Sequence, residues 1–217
     1  MGIFGGMLDL LFPPRCAFCH HVLKTDEKGL CRKCSKSISR TKNGGAQGGD
    51  FFFVCVSPLY YEGKVRDSIH RFKFHGATAY AELYGTMIAE CINENLKGKY
   101  DIITWVPLSK ERLKKRGYDQ AMLLAMAAAL NLDDVAVELL IKHTDVPAQS
   151  QTGGPEERRA NINGVYTVSD DDLVRGKRIL VIDDIITTGA TLSECAKTLK
   201  LHGAESVVCA TLARTKE

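Results

Sequence analysis

Apolar residues recur along this chain with two different periods, and chemistry-bearing residues gather where one gives way to the other. Continuous apolar runs of strand length occupy Phe51 to Tyr61, Ile102 to Val106, Val135 to Ile141, Arg178 to Ile182 and Ser206 to Leu212. Helical spacing fills the gaps. Val65, Ile69 and Phe72 share one face of VRDSIHRFKF, with Arg66, Arg71 and Lys73 elsewhere. Leu83, Met87, Ile88, Cys91 and Ile92 make an amphipathic helix of Tyr80 to Leu96, and Ala121 to Leu130 is rich in alanine and leucine. Leu192, Cys195, Ala196 and Leu199 line one face of a helix over Thr191 to His202, with Gly203 as its stop. Strands alternating with helices predict an α/β fold, a parallel sheet covered on both faces, with ligands bound beyond the carboxyl ends of its strands.

The first fifty residues do not follow this pattern. MGIFGGMLDLLFPP has too short an apolar run and no basic lead for a signal peptide or membrane span, and reads as an amphipathic helical turn. Cys16 and Cys19, then Cys31 and Cys34, form two CxxC pairs with a turn at Lys28-Gly29 between them. Each pair can aim two thiolates at one centre, and two pairs complete a tetrahedron. The spacing predicts a structural Zn²⁺ site in a small zinc-ribbon-like module; a redox dithiol or disulfide pair is the competing reading. So few residues cannot bury a stable apolar core, so metal would supply the folding energy. Asn43 to Asp50, NGGAQGGD, reads as a flexible linker. The expected organisation is a zinc-binding module over 1–42, a linker over 43–50 and a larger domain over 51–217.

Composition narrows the field. The chain has 217 residues and a net charge of +3 from 29 basic and 26 acidic residues, so it is not a general polyanion binder. Residues 24–42 nevertheless hold seven Lys or Arg against two acids, a face that suits either solvent or nucleic acid. Cys55, Cys91, Cys195 and Cys209 lie in apolar segments and read as small core hydrophobes. Without an export signal, the expected location is the cytoplasm.

The densest chemistry lies in RILVIDDIITTGAT. An apolar strand ends in Asp183 and Asp184, then Thr187, Thr188, Gly189, Ala190 and Thr191 lead into a helix. A helix start offers unpaired N–H groups, Gly189 permits close approach, and the threonines add hydroxyl donors, so the turn can hold a phosphate. The plain alternative is a buried strand followed by an N-capped helix. A second strand end, Trp105 to Leu108, runs into SKERLKKRGYDQA, where five of the seven residues Lys110 to Arg116 are basic. Those charges suit a pyrophosphate, or simply a solvated helix start.

RILVIDDIITTGAT resembles the phosphoribosyl pyrophosphate (PRPP) loop of type I phosphoribosyltransferases. VPLSKERLKKRGYDQA, the paired CxxC knuckles, VRDSIHRFKFHG and QTGGPEERRANINGVY together resemble the competence protein F (ComF) family across nearly the whole chain. The resemblance implies a phosphoribosyltransferase-like domain behind a zinc finger, linked to DNA uptake in natural transformation. It implies that Asp183 and Asp184 orient the ribose and that Thr187, Thr188, Gly189, Ala190 and Thr191 cradle its 5′-phosphate. Leu108, Ser109 and Lys110 would present backbone N–H groups to pyrophosphate, with charge from Arg112 and Arg116. Gln151 and Arg158 would belong to a closing loop over His143 to Asn161. Mg²⁺ would accompany PRPP, and phosphoribose would pass to an acceptor with release of pyrophosphate. A PRPP- or nucleotide-sensing protein without catalysis is the alternative. Single-stranded DNA, a helicase-like competence partner and a second copy of the chain are the macromolecular partners implied, with no membrane insertion. Two departures stand out. Asp119 occupies the position of the family's usual Asn, adding negative charge beside the pyrophosphate site or a ligand for Mg²⁺. The stretch Gln151 to Asn161 is one residue shorter than usual, with Gly153-Gly154 in place of an apolar residue.

Overall fold

A computed structural model describes residues 13–143 and 165–216. The expectations for the N-terminal turn and for Gln151 and Arg158 lie outside the described residues. Two strands at the end of the chain form the centre of the sheet. β6 (Arg178–Ile186) and β7 (Ser206–Arg214) run parallel, with β3 (Ile102–Trp105) beside β6. On the far side of β7 pair β1 (Cys55–Val56) and β2 (Leu59–Tyr60), both parallel to it. The run Phe51 to Tyr61 is thus split rather than one strand, and Ser57-Pro58 separates the pieces; proline has no N–H to give the ladder. Of Val135 to Ile141, only Ala136 bridges to Ile103. The following strand, β4 (Leu140–Lys142), leaves the sheet to pair antiparallel with β5 (Tyr166–Val168).

Alternation along β6 sorts the core into two layers. Leu180 and Ile182, with Val208, Ala210 and Leu212 of β7, face α2 (Gly63–Phe74), α3 (Tyr80–Asn95) and α5 (Gln120–Asn131). Ile179 and Val181, with Val207 and Cys209, face α7 (Ala190–Leu201), which follows the short α6 (Asp171–Val174), through Leu192, Cys195, Ala196 and Leu199. Helices cover both faces, as the period analysis predicts. Gly85 lets α3 and α5 touch: a Cβ there would lie 2.4 Å from the Ala127 side chain and 2.6 Å from its backbone. Cys55, Cys91, Cys195 and Cys209 are buried and free.

The ribbon shares this core. Cys16, Ala17 and Phe18 are buried with Phe72 and Tyr84, and the Phe18, Phe72 and Tyr80 rings all meet Tyr84 edge-on. Within the expected linker, residues 44–47 are tied by hydrogen bonds to the larger domain. Gln47 and Cys55 exchange backbone hydrogen bonds of 2.9 and 2.7 Å, and the Arg214 guanidinium donates to the Gly45 carbonyl at 2.9 Å. The glycines supply the positive φ of a tight turn, at Gly44 and Gly45, instead of slack.

Candidate functional site

In the ribbon, two local turns assemble the metal centre. The Cys16 N–H donates to the His21 carbonyl and the His20 N–H to the Cys16 carbonyl, both at 2.8 Å, which folds the first knuckle. The second is the start of a helix, α1 (Arg32–Ser37): Cys31 is its N-cap, and its sulfur accepts the Cys34 N–H at 3.4 Å. The Cys31 N–H donates to the Cys16 sulfur, also at 3.4 Å. All four sulfurs lie within 4.8 Å of one another, with Cys19 and Cys31 3.7 Å apart. A Zn–S bond of about 2.3 Å puts tetrahedral sulfurs about 3.8 Å apart, so the set fits a structural zinc ion. Among the described residues, it is the one such metal-ligating group. Four thiolates leave no open coordination position for catalysis.

At the carboxyl edge of the sheet, the period of two sends the paired acids to opposite faces. Asp184 continues the Leu180–Ile182 side and meets the last turn of α2, where Lys73 Nζ lies 2.8 Å from its Oδ2. Asp183 continues the Ile179–Val181 side toward Tyr166 and Cys195, and its Oδ1 accepts the Asp184 N–H at 2.8 Å. Burial, then the neighbouring Asp184 charge, raises the Asp183 pKa; the Asp184 N–H and Lys73 oppose this only in part. Burial likewise pushes the Tyr166 phenol up.

Both acids line a cavity of about 380 Å³ with Thr187 and Thr191 of the turn and Pro107 and Leu108 of the second strand end. Arg112, Arg116 and Asp119 line it too, the predicted Thr188, Gly189 and Ala190 do not, and Lys73, Lys142, Tyr166, Tyr61 and Gln120 join the lining. Lys73 sits inside a quoted motif, but its helical period only places it off the apolar face. Lys142 and Tyr166 come together from either side of residues 144–164, and the ammonium lies 5.5 Å from the ring centre. No local pattern announces that pair.

The turn is built for a close approach. Gly189, at φ 77°, is the N-cap of α7, and the Thr188 hydroxyl accepts the Ala190 N–H at 3.4 Å. The second strand end differs from expectation. Leu108 does not offer its N–H to the cavity: it donates to Asp119 Oδ2 at 2.9 Å. Ser109 is buried and caps α4 (Lys110–Arg116), accepting the Arg112 N–H at 3.2 Å. Lys110 is exposed at the helix start and does not line the cavity. Asp119 also caps α5, accepting the Met122 N–H at 3.0 Å, so both its oxygens hold backbone. Burial nevertheless leaves its pKa raised, with Asp184 adding to the effect. A second hollow of about 300 Å³ adjoins the first, sharing Lys73, Arg112 and Arg116 and adding Lys115, Phe74 and Tyr118. Arg116 stacks 4.9 Å from the Phe74 ring centre and bonds Gln120 at 2.6 Å. Acids and cations thus share the cavity, Lys73 paired with Asp184, and the cations Lys73, Arg112 and Arg116 continue into the second hollow.

Fold and centres define a phosphoribosyltransferase-type domain carrying an N-terminal zinc ribbon. Residues 115–217 match the phosphoribosyl transferase domain family and residues 7–44 the double zinc ribbon domain family. Over most of its length the chain is similar to proteins named competence protein F and ComFC. It is 27% identical to competence protein F of Haemophilus influenzae over 92% of this chain and 96% of that protein. It is 30% identical to competence protein ComFC of Bacillus subtilis over 71% of this chain and 62% of that one. The DNA utilization protein YhgH of Escherichia coli K12 matches at 24%, over 95% of this chain and 99% of its own length. Among solved structures, the allosteric regulatory enzyme of purine biosynthesis superposes with a TM-score of 0.42 at 22% identity. That match covers 59% of this chain and 24% of the enzyme, so the chain spans about a quarter of its length. Among the described residues, no helix is long and apolar enough to cross a membrane.

Proposed function

We propose that the acid cavity binds PRPP and that the protein transfers its phosphoribosyl group to a nitrogen acceptor, in the cytoplasm, in support of DNA uptake or utilisation. One observation carries this reading: Asp183 and Asp184 diverge at a strand end that leads directly into the Gly189 turn, and that turn shares one cavity with Lys73, Arg112 and Arg116. Thr187, Thr188, Gly189, Ala190 and Thr191 would hold the 5′-phosphate at the start of α7. Asp183 and Asp184 would receive the ribose hydroxyls. The pyrophosphate would turn away from the acids toward the adjoining cations.

In the reaction the bond from ribose C1 to the pyrophosphate oxygen breaks, a bond from C1 to the acceptor nitrogen forms, and pyrophosphate departs with the bonding electrons. Charge grows positive on the ribose and negative on pyrophosphate. The carboxylates favour the first and the Arg112, Arg116 and Lys73 side the second, so fixed charges of both signs stabilise one transition state. The hard oxygen donors of Asp183 and Asp184 fit Mg²⁺, which takes one or two carboxylates and completes its shell with water and substrate oxygens. Lys73 already neutralises Asp184, which favours a metal that arrives with the phosphates; its charge would offset theirs. Asp119, with both oxygens on backbone N–H groups, is a brace for the second strand end rather than a metal ligand.

The test is pyrophosphate release from PRPP, followed by ³¹P NMR with ammonia, amines and nucleobases as acceptors. Acceptor-dependent release that disappears in Asp183→Asn/Asp184→Asn supports transfer; binding without turnover leaves the sensing alternative. A second observation favours that alternative: Arg32, Lys33 and Lys36 stand exposed on α1, where single-stranded DNA or a competence partner can reach them. The names of the relatives point the same way. Salt-dependent binding of single strands, lost when these three residues are neutralised, is its signature.

A further inference from the structure

α2 touches both chemical centres. Its Arg71 Nη2 donates to the carbonyls of Ala17 and Phe18, at 2.7 and 3.0 Å, within the knuckle between Cys16 and Cys19. Ser68 donates to the same Ala17 carbonyl and bonds Tyr84 as well. Two residues beyond Arg71, Lys73 pairs with Asp184. Between them, the Phe72 ring packs on Tyr84 and its carbonyl accepts the Tyr118 hydroxyl, from the wall of the cationic hollow. The helix is therefore clamped by the knuckle on one side and by the acid cavity on the other.

We infer that the zinc knuckle is the positioning element for Lys73, so that the ribbon sets the affinity of the acid cavity without touching it. The inference rests on the reading of that cavity as a PRPP site and adds the residues that couple it to the metal: Ser68 and Arg71. Their acceptors are backbone carbonyls, whose direction is fixed only while the CxxC turn is closed. Metal closes that turn, because a thiolate pair released from it regains chain freedom. When the turn opens, the half-buried Arg71 guanidinium loses the two carbonyls that hold it. The last turn of α2 then loses its anchor, and Lys73 its fixed distance to Asp184. The cavity is left with carboxylates whose countercharge wanders, which weakens its hold on a phosphorylated sugar. Zinc here holds a cation in place at the acid cavity and takes no part in the chemistry.

The test uses the full-length, zinc-loaded protein and two substitutions that leave all four cysteines intact, Arg71→Gln and Lys73→Met. Zinc content is measured first and is expected to remain at one per chain. PRPP affinity with Mg²⁺ is then measured for each variant and for the pair. Each single change is expected to weaken PRPP about tenfold, the scale of ordinary coupling between sites. The double variant is expected to bind no worse than Lys73→Met alone, because both remove one interaction. Hydrogen exchange over residues 70–75 supplies a readout independent of ligand: Arg71→Gln should lose protection there and Arg32→Ala, on the exposed face of the ribbon, should not. Unchanged PRPP affinity in zinc-loaded Arg71→Gln, additive losses in the double variant, or unchanged protection at 70–75 would each overturn the inference. If native protein binds no PRPP, the cavity reading fails by itself, and the exchange data still decide whether the knuckle anchors Lys73.

Discussion

At the zinc knuckles, thiols, N–H groups and carbonyls meet partners on every side, whereas at the carboxyl edge of the sheet three carboxylates crowd one cavity wall. The ribbon sulfurs face one another and accept the N–H groups of Cys31 and Cys34, and the knuckle carbonyls are taken by Ser68 and Arg71. Burial first, then the charges of Asp184 and Asp119, raises the pKa of Asp183. A closed centre stabilises the fold and does no chemistry. An open one costs stability and is ready for a ligand that supplies the missing charge. Opposite consequences follow on removing a ligand from the first and a charge from the second.

The largest effect belongs to the metal. A strong chelator, or Cys16→Ser, should unfold the ribbon, with a loss on the order of 10 kcal/mol at neutral pH. Because Phe18 packs with Phe72 and Tyr84, thermal unfolding of the whole domain should shift down as well. An unchanged melting transition would make the ribbon a passenger.

Asp183→Asn should act the other way, raising stability at pH 7 by about 1–3 kcal/mol while abolishing PRPP binding. The sign follows from protons bound. The folded-state pKa of Asp183 is raised, so the unfolded chain ionises first as pH increases. Native stability from this group falls from about pH 4, the ordinary carboxylate range, up to the raised folded value. The advantage of Asp183→Asn in urea unfolding should therefore vanish below about pH 4 and grow above it. A variant less stable than native at pH 7 would contradict the cost of burying Asp183 beside other carboxylates.

Smaller losses are expected at the two turns beside the acids. Gly189→Ala forces a side chain into the left-handed region at φ 77° and should cost about 1–2 kcal/mol. The added Cβ has room, its nearest neighbour being Phe52 at 3.5 Å, so the loss should be conformational. Ser109→Ala removes the cap of α4 and should cost about 1 kcal/mol in urea unfolding, with weaker PRPP binding through Arg112. A Ser109→Ala protein as stable as native would place that hydroxyl outside the architecture.

Where chemistry depends on neighbours in the chain, the sequence is a good guide. The CxxC spacing specifies a knuckle because two thiolates two residues apart share one turn. The helix expected over Thr191 to His202 forms over Ala190–Leu201, because its apolar face and Gly203 stop are local. β6 extends to Ile186, past the expected Ile182, so both acids sit within the strand and alternate. That extension sends them to different faces, which adjacency alone does not reveal. What escaped was assembled from a distance. Lys73 reaches Asp184 from 111 positions earlier in the chain, the span between the two numbers, and only the docking of α2 brings it there. The Leu108 N–H looked available beside a basic helix, yet Asp119 takes it from eleven residues on. Residues 43–50 read as slack because glycine is ambiguous between freedom and a tight turn; Arg214 decides in favour of the turn.

The central claim is that the crowded acids form the ribose seat of a PRPP site. Isothermal titration of PRPP into the zinc-loaded protein with Mg²⁺, beside Asp183→Asn/Asp184→Asn, tests it most directly. The account predicts one saturable site per chain in the native protein and none in the variant. Native protein that takes up no PRPP, or a variant that binds it equally well, would contradict it.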